Sequence, residues 1–248
     1  MDNYLSNYDK YDTNCVYDFN LGDGGIGDCI KFFMIALEVC MKNNRRLYYK
    51  RNYIEIENYI KLKHDKMYID DAEIKRLESV HIIAPYDLYG MVSYDYSIAI
   101  NNVFYFTHEI RTNREVLFPI VDTDYISIHL RLGDKYLETD EPFILCKHDV
   151  RHFDEEALHK FIEEHNSERI FFCCDNNAYK DKLITKYNNI ITANSDIGHT
   201  SLSNTTKRQV LDAATEFYIL TDSKLIFSAS ESGFSIVAAK FNNVPLYR

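Results

Sequence analysis

The second half of the chain alternates short apolar runs with amphipathic segments, and this alternation narrows the possible folds more than any other feature. Residues 125–130 and 169–174 are mostly apolar, and each run precedes a segment with apolar residues at helical spacing. Runs of this kind are typical of strands buried on both faces of a parallel sheet. The alternation continues to residue 247, so the pattern predicts an α/β fold with helices covering the sheet.

The first third of the chain contains a similar strand, loop and helix unit. Residues 15–20 predict a strand, residues 21–27 form a glycine-rich loop, and a helix follows. Further strands are expected at residues 46–50 and 80–84.

Two stretches lack a clear strand pattern. Residues 54–79 are mostly helical by composition, and residues 101–119 read as irregular. A chain of 248 residues is long enough for two α/β domains. We expect a boundary near residue 115, with an N-terminal domain at 1–115 and a C-terminal Rossmann-like domain at 116–248.

Charge and composition exclude several functional classes. The net charge of -10 argues against a nucleic-acid binder, which needs a basic face. The most apolar stretch, residues 29–41, contains Lys31 and Glu38, so no membrane span is expected. The six cysteines lie mostly within apolar runs, which favours a reducing, cytoplasmic setting, whether bacterial, viral or cytosolic.

The strand at residues 125–130 ends in a turn that carries charge. The sequence there is His129, Leu, Arg131, Leu, Gly133, Asp134, Lys135. Ligands of open parallel sheets bind beyond the carboxyl ends of the strands, and an arginine fork there suits a pyrophosphate. The alternative is a surface turn with a solvated ion pair.

Two later segments have the same position after a strand. Asp175 follows residues 169–174 at the same end of its strand, where its carboxylate could bind a ligand or simply cap the next helix. A turn rich in serine precedes the last helix, whose first backbone N–H groups could bind phosphate, although serine also caps helices without phosphate. The candidate residues of this turn are Ser230, Ser232, Gly233, Phe234 and Ser235.

The glycine-rich loop supports a rival interpretation. Gly22, Gly24 and Gly27 match the dinucleotide-binding pattern Gly-x-Gly-x-x-Gly, which would make the chain an NAD(P)-dependent oxidoreductase. That pattern expects an acidic ribose ligand about 20 residues later, and residues 48–51 supply none, although Arg51 could suit a 2′-phosphate. An ordinary β–α turn is a third interpretation.

These motifs, in this order, resemble those of the fucosyltransferase superfamily, which includes α1,2-, α1,6- and protein O-fucosyltransferases. The run from His129 to Asp134 resembles the His-x-Arg-x-Gly-Asp motif of this superfamily, and residues 216–239 resemble its last motif. The loop with Gly24, Gly25 and Gly27 resembles a Gly-Gly-Leu-Gly-Asn loop. The resemblance implies a GT-B-like fold, with two Rossmann-like domains facing across a cleft.

The resemblance also implies a reaction: inverting, metal-independent transfer of fucose from GDP-fucose to a glycan or protein hydroxyl, without a cofactor. Arg131 would contact the diphosphate, His129 the nucleoside and Asp175 guanine, with Lys135 near the phosphates. The glycine loop would border the sugar and the acceptor. Many members carry a second arginine where this chain has Leu132.

A general base should take the proton of the acceptor hydroxyl. Glu138 is the candidate, and Glu141, Asp134 or no protein base remain open. Another nucleotide sugar as donor, or a protein that binds a nucleotide sugar without catalysis, are further alternatives.

Metal-site patterns are weak. Cys146, His148 and His152 have loose ligand spacing without a fourth partner. The Asp122-Thr123-Asp124 run precedes its strand rather than following it. We therefore expect no metal site.

Overall fold

The computed structural model describes residues 1–119, 124–136 and 149–248. It contains a four-stranded sheet in the order β4-β2-β1-β5, a five-stranded sheet in the order β11-β10-β7-β8-β9, and an antiparallel pair of β3 and β6. Both larger sheets are parallel. The strands are β1 (Asn14–Tyr17), β2 (Arg46–Lys50), β3 (Ile60–Leu62), β4 (Tyr68–Ile69), β5 (Val80–Ile83), β6 (Phe104–Phe106), β7 (Ile126–Leu130), β8 (Ile170–Cys174), β9 (Ile190–Ile191), β10 (Ile226–Ser228) and β11 (Leu246–Tyr247).

Helices connect the parallel strands and cover the sheets, as a parallel sheet requires. The described α-helices are α1 (Asp2–Ser6), α2 (Ile26–Lys42), α3 (Ile56–Tyr59), α4 (Asp71–Ile74), α5 (His108–Leu117), α6 (Glu155–Glu164), α7 (Asn177–Lys186), α8 (Lys207–Thr221) and α9 (Gly233–Asn242). The predicted α/β class is confirmed.

The C-terminal sheet places the motif turns side by side. β7 lies between β10 and β8, with Ile128 in register with Phe172 on one side and Phe227 on the other. Every residue of these three strands is buried. Because the strands are parallel, the turns that follow β7, β8 and β10 lie at the same edge of the sheet.

The two halves of the chain are joined by helix packing. α2 packs against α9, and α5 packs against α8. At the second contact the buried Asn113 side chain donates to Asp212 Oδ1 and to Thr215 Oγ1, each at 2.9 Å. One apolar cluster joins the N-terminal sheet to one face of the C-terminal sheet, and a second cluster covers the other face of the C-terminal sheet. The predicted boundary near residue 115 falls within α5, and the division at that point stays a prediction.

Two stretches differ from the sequence-based expectation. Residues 54–79 were expected to be mostly helical but form only the short α3 and α4, together with β3 and β4. Residues 101–119 were expected to be irregular but contain β6 and α5. The reason is tertiary: β3 pairs with β6, with Ile60 opposite Phe106, and strand formation depends on such partners more than on local composition.

Two further observations concern membrane spans and cysteines. No helix in the described ranges is long and apolar enough to cross a membrane. Cys15, Cys29, Cys40, Cys173 and Cys174 are buried and form no disulfide.

Candidate functional site

A cavity of about 670 Å³ opens where the carboxyl ends of β7 and β8 face the glycine-rich loop before α2. Its wall includes Arg131 from the turn after β7, Asp175 from the turn after β8 and Ser232 from the serine-rich turn before α9. The glycine loop also lines the cavity. Four motifs that lie far apart in the sequence therefore meet at one cavity.

Carboxylates surround the Arg131 guanidinium. Its Nη2 pairs with Asp134 and lies 3.8 Å from Asp149 Oδ2, while its Nη1 lies 3.7 Å from Asp175 Oδ2. These contacts fix the direction of the fork. Gly133 permits the turn, since its φ is +104° and a Cβ there would lie 2.5 Å from the Asp149 carbonyl oxygen.

Asp175 braces the same turn. Its carboxylate accepts the backbone N–H of Leu132 at 2.7 Å and that of Gly133 at 3.0 Å. Burial raises its pKa, although Arg131 and the two amides oppose this shift. Since each oxygen already accepts at least one bond, a guanine contact would have to use the remaining lone pairs. That contact stays a prediction.

The serine-rich turn before α9 contains residues that line the cavity and residues that support it from behind. Ser232 is the N-cap of α9, its Oγ accepting from Phe234 N at 3.3 Å, and Ser232, Gly233 and Phe234 line the cavity. Ser230 is buried and its Oγ accepts from the Arg131 N–H at 2.8 Å. Ser235 Oγ bonds to Ser228 Oγ at 2.7 Å beneath the surface. Ser230 and Ser235 therefore support the site rather than face it.

The glycine loop lets two helix starts approach each other. A Cβ on Gly27 would lie 3.0 Å from the Gly233 carbonyl carbon, so α2 and α9 meet at their first turns. Gly24 has a φ of +144°, and Gly25 is the N-cap of α2. The N-terminal ends of both helices reach the cavity wall, where unpaired N–H groups and helix dipoles favour an anion.

His129 is a buried, neutral ring at the cavity wall. It is 5% exposed and stacks on Phe234, with ring centroids 5.1 Å apart. Burial and the neighbouring Arg131 lower its pKa to about 3. Within the described residues its Nδ1 has no hydrogen-bond partner. A buried polar atom without a partner at a cavity is a natural contact for a ligand.

One predicted catalytic residue, Lys135, is not brought to the cavity. Lys135 is exposed, with its ammonium 5.5 Å from the centre of the Tyr136 ring, and it does not line the cavity. Glu138 lies outside the described residues, as does Glu141. Their roles stay predictions.

Other cavity residues were not identified from the sequence. Arg151 donates its backbone N–H to the Leu132 carbonyl at 2.8 Å and its Nε to Asp149 Oδ1 at 2.9 Å. Lys31 pairs with Asp28 at 2.6 Å. No local pattern marks these side chains; they come from separate segments and also include Tyr89, Tyr94 and His199. Glu216, the first residue of the last motif, lines the cavity as well.

Glu216 belongs to a buried polar network behind the cavity. Its Oε1 accepts from Lys180 Nζ at 2.8 Å and from Ser195 Oγ at 2.5 Å, and its Oε2 accepts from Cys173 Sγ at 3.1 Å. Burial opposes the charge of Lys180, but Glu216 and Cys173 raise the lysine pKa above its ordinary value. Lys180 therefore keeps its charge, and its contact with Glu216 holds the Glu216 side chain in one position.

The described residues add no support to the metal-site candidates. In the part of the chain that the structure describes, no group of three or more His, Cys, Asp or Glu side chains could hold a metal ion. His152 is exposed and Asp124 pairs with Lys224, whereas Cys146, His148, Asp122 and Thr123 lie outside the described residues.

No family model matches the chain, and no curated protein matches its sequence. Solved structures are similar in fold. The α-1,6-fucosyltransferase NodZ soaked with GDP-fucose superposes with a TM-score of 0.59, at 14% identity, over 94% of each chain. NodZ from Bradyrhizobium gives 0.57, at 13% identity, over 91% of this chain and 92% of that one. POFUT1 in complex with GDP-fucose gives 0.53, at 9% identity, over 95% and 97%. The GT-B-like fold expected from the motifs is confirmed.

Proposed function

We propose that this chain, which has the fold of these fucosyltransferases, is an inverting glycosyltransferase that moves fucose from GDP-fucose to a glycan or protein hydroxyl. One observation carries the proposal: Arg131 and the start of α9 at Ser232 line the same cavity. An arginine fork and a helix N-terminus are two of the common protein partners of a diphosphate.

The diphosphate would lie between Arg131 and the first turn of α9. The acceptor oxygen attacks the anomeric carbon of fucose, and the bond from that carbon to the β-phosphate oxygen breaks. The electron pair leaves with GDP, so negative charge grows on the β-phosphate. Arg131, Ser232 and the N–H group of Gly233 would stabilise this charge without a metal ion.

The proton of the acceptor hydroxyl passes to a general base in this proposal. Glu138 has this role, with Glu141, Asp134 or no protein base as the remaining options. Asp134 is less suited, because it is buried and already pairs with Arg131. Lys135 would assist the phosphates only if its side chain turned from Tyr136 toward the cavity.

The nucleoside would lie near His129 and Asp175. The His129 Nδ1 lacks a partner within the described residues, which suits it to a hydrogen bond from the donor. Asp175 and Glu216 both place carboxylates on the wall, and a carboxylate can accept the two N–H hydrogen bonds of guanine. Gly24, Gly25 and Gly27 would border the sugar, and the division into domains 1–115 and 116–248 would place donor and acceptor on opposite sides.

Calorimetric titration and turnover assays test this function. The wild type should bind GDP, and Arg131→Ala should bind it at least tenfold more weakly and lose about a hundredfold in transfer rate, because one lost transition-state donor costs about 3 kcal/mol. Arg169→Ala, outside the cavity, is the matched control. Addition of EDTA should leave the rate unchanged.

Binding measurements with other nucleotides separate the alternatives. Stabilisation by NAD(P) in place of GDP would indicate an oxidoreductase, and stronger binding of another nucleotide sugar would change the donor. GDP binding without hydrolysis or transfer would indicate a protein that binds the donor without catalysis.

A further inference from the structure

His199 lies on the segment between β9 and α8, away from every motif in the sequence, yet its side chain lines the donor cavity. The side chain is 13% exposed. Two neighbours hold the segment: Thr205 Oγ1 donates to the His199 carbonyl at 2.5 Å, and Gln209 Nε2 donates to the Ile197 carbonyl at 2.8 Å. The imidazole is therefore carried by a braced loop.

The hydrogen bonds of the ring fix which nitrogen carries the proton. The backbone N–H of Ser201 donates to His199 Nδ1 at 3.3 Å, and Ser201 Oγ lies 2.6 Å from the same nitrogen. A nitrogen that accepts from a backbone N–H cannot carry a hydrogen itself. The neutral ring thus has its hydrogen on Nε2, which makes Nε2 a donor and unsuited to act as the base.

The Nε2 atom is directed at the same place as Arg131. It lies 3.8 Å from Asp134 Oδ1, the oxygen that also contacts Arg131 Nη2. A separation of 3.8 Å is longer than a hydrogen bond. Among the described residues Nε2 makes no hydrogen bond, so its N–H is left for a molecule in the cavity.

The loop that carries His199 also contacts the glycine-rich loop. A Cβ added to Gly25 would lie 3.1 Å from Thr200 Oγ1, so the residue after His199 touches the glycine loop before α2. The start of α2 is therefore close to the His199 loop, and the Arg131 fork shares Asp134 Oδ1 with the imidazole as a neighbour.

We infer that His199 is a further residue of the diphosphate site, whose Nε2–H donates a hydrogen bond to the β-phosphate of the donor and of the leaving GDP. This inference rests on the proposed function. Many members of the fucosyltransferase superfamily carry a second arginine at the position of Leu132. In this chain a histidine from another segment would supply the second side-chain donor instead.

The surrounding charges make this contact dependent on pH. Burial first, and then Arg131, lower the His199 pKa, whereas Asp134, Asp28 and Asp149 act in the opposite direction. The empty site therefore holds a neutral ring at pH 7. A bound diphosphate adds negative charge beside Nε2 and raises the pKa, so GDP should bind more tightly as the pH falls, with uptake of a proton.

Calorimetry with GDP and GMP tests the inference. His199→Phe keeps a ring but loses the donor, and it should weaken GDP binding about tenfold while GMP, which lacks the β-phosphate, changes less than twofold. His199→Gln keeps an N–H donor and should bind GDP within about threefold of the wild type. His165→Phe, at the C-cap of α6 and away from the cavity, is the control.

Proton uptake gives a second measurement that a structural role would not affect. Titrations in two buffers of different ionisation enthalpy at pH 7 should show proton uptake on GDP binding in the wild type and none in His199→Gln. This comparison remains decisive if His199→Phe does not fold.

The outcomes separate the two proposals. A wild type that binds no GDP contradicts the proposed function itself. A wild type that binds GDP, with His199→Phe unchanged or with GDP and GMP weakened equally, overturns the inference alone, and so does equal proton uptake in the wild type and His199→Gln.

Discussion

The backbone N–H of Arg131 donates to Ser230 Oγ at 2.8 Å, which ties the turn after β7 to the turn before α9. The two segments are far apart in the sequence, and each carries part of the proposed diphosphate site. Ser230 is buried, so water cannot replace this bond easily. The relative position of the arginine fork and the helix start is thus set by a direct contact.

Ser230→Ala should lower stability and weaken GDP binding together. The substitution leaves the Arg131 N–H without its acceptor, at a cost of about 1–3 kcal/mol. Urea unfolding measures the stability, and calorimetry measures the affinity. Ser203→Ala, at an exposed serine, should change neither. Full stability and affinity in Ser230→Ala would show that the contact does not position the site.

Gly27→Ala should destabilise the packing of α2 on α9. The new Cβ would lie 3.0 Å from the Gly233 backbone, which cannot move as a side chain can. Overpacking of this kind costs about 1–3 kcal/mol, measured by urea unfolding. Gly90→Ala is the matched control, since a Cβ there meets nothing within 4 Å. Equal stability of the two variants would contradict the close approach of the helices.

The pH dependence of stability should reflect His129. Its pKa is lowered to about 3 in the folded chain, by burial and by Arg131, whereas the unfolded ring titrates near its ordinary value. The unfolded state therefore binds more protons as the pH falls from about 6.5 toward 3, and this residue makes the protein less stable over that window.

His129→Phe checks this assignment. From pH 6.5 to 5 the wild type should lose about 2 kcal/mol from His129 alone, since one proton is worth about 1.4 kcal/mol per pH unit. Urea unfolding at both pH values should show a smaller loss in His129→Phe, and His165→Phe should behave as the wild type. The same loss in all three proteins would assign the effect to other groups.

Asp175→Asn should separate the bracing role of this residue from its predicted contact with guanine. An amide offers one acceptor oxygen in place of two, so the turn at Leu132 and Gly133 loses a hydrogen bond and GDP binding should weaken. If Asp175 also reads guanine, the preference for GDP over IDP, which lacks the 2-amino group, should fall as well. Weaker binding with an unchanged preference would remove guanine recognition from Asp175.

The sequence predicted the motif turns and the parallel strands other than β4, because these depend on local patterns. β7 and β8 correspond to continuous apolar runs, and α9 begins after a serine cap. Both signals can be read directly from the sequence. The pair of β3 and β6 could not be read, because each strand is three residues long and depends on its partner.

Part of the candidate site was beyond prediction for a similar reason. Arg151 and His199 reach the cavity through loop geometry and have no motif of their own. The bracing roles of Ser230 and Asp175 also depend on contacts across the sheet edge, so a motif could mark them as important without indicating what they contact.

A crystal structure with GDP tests the central claim most directly, since it places the diphosphate relative to both turns. We expect the β-phosphate within hydrogen-bond distance of the Arg131 guanidinium and of the backbone N–H groups that follow Ser232. GDP bound elsewhere, or with its phosphates in contact with only one of the two turns, would contradict the account.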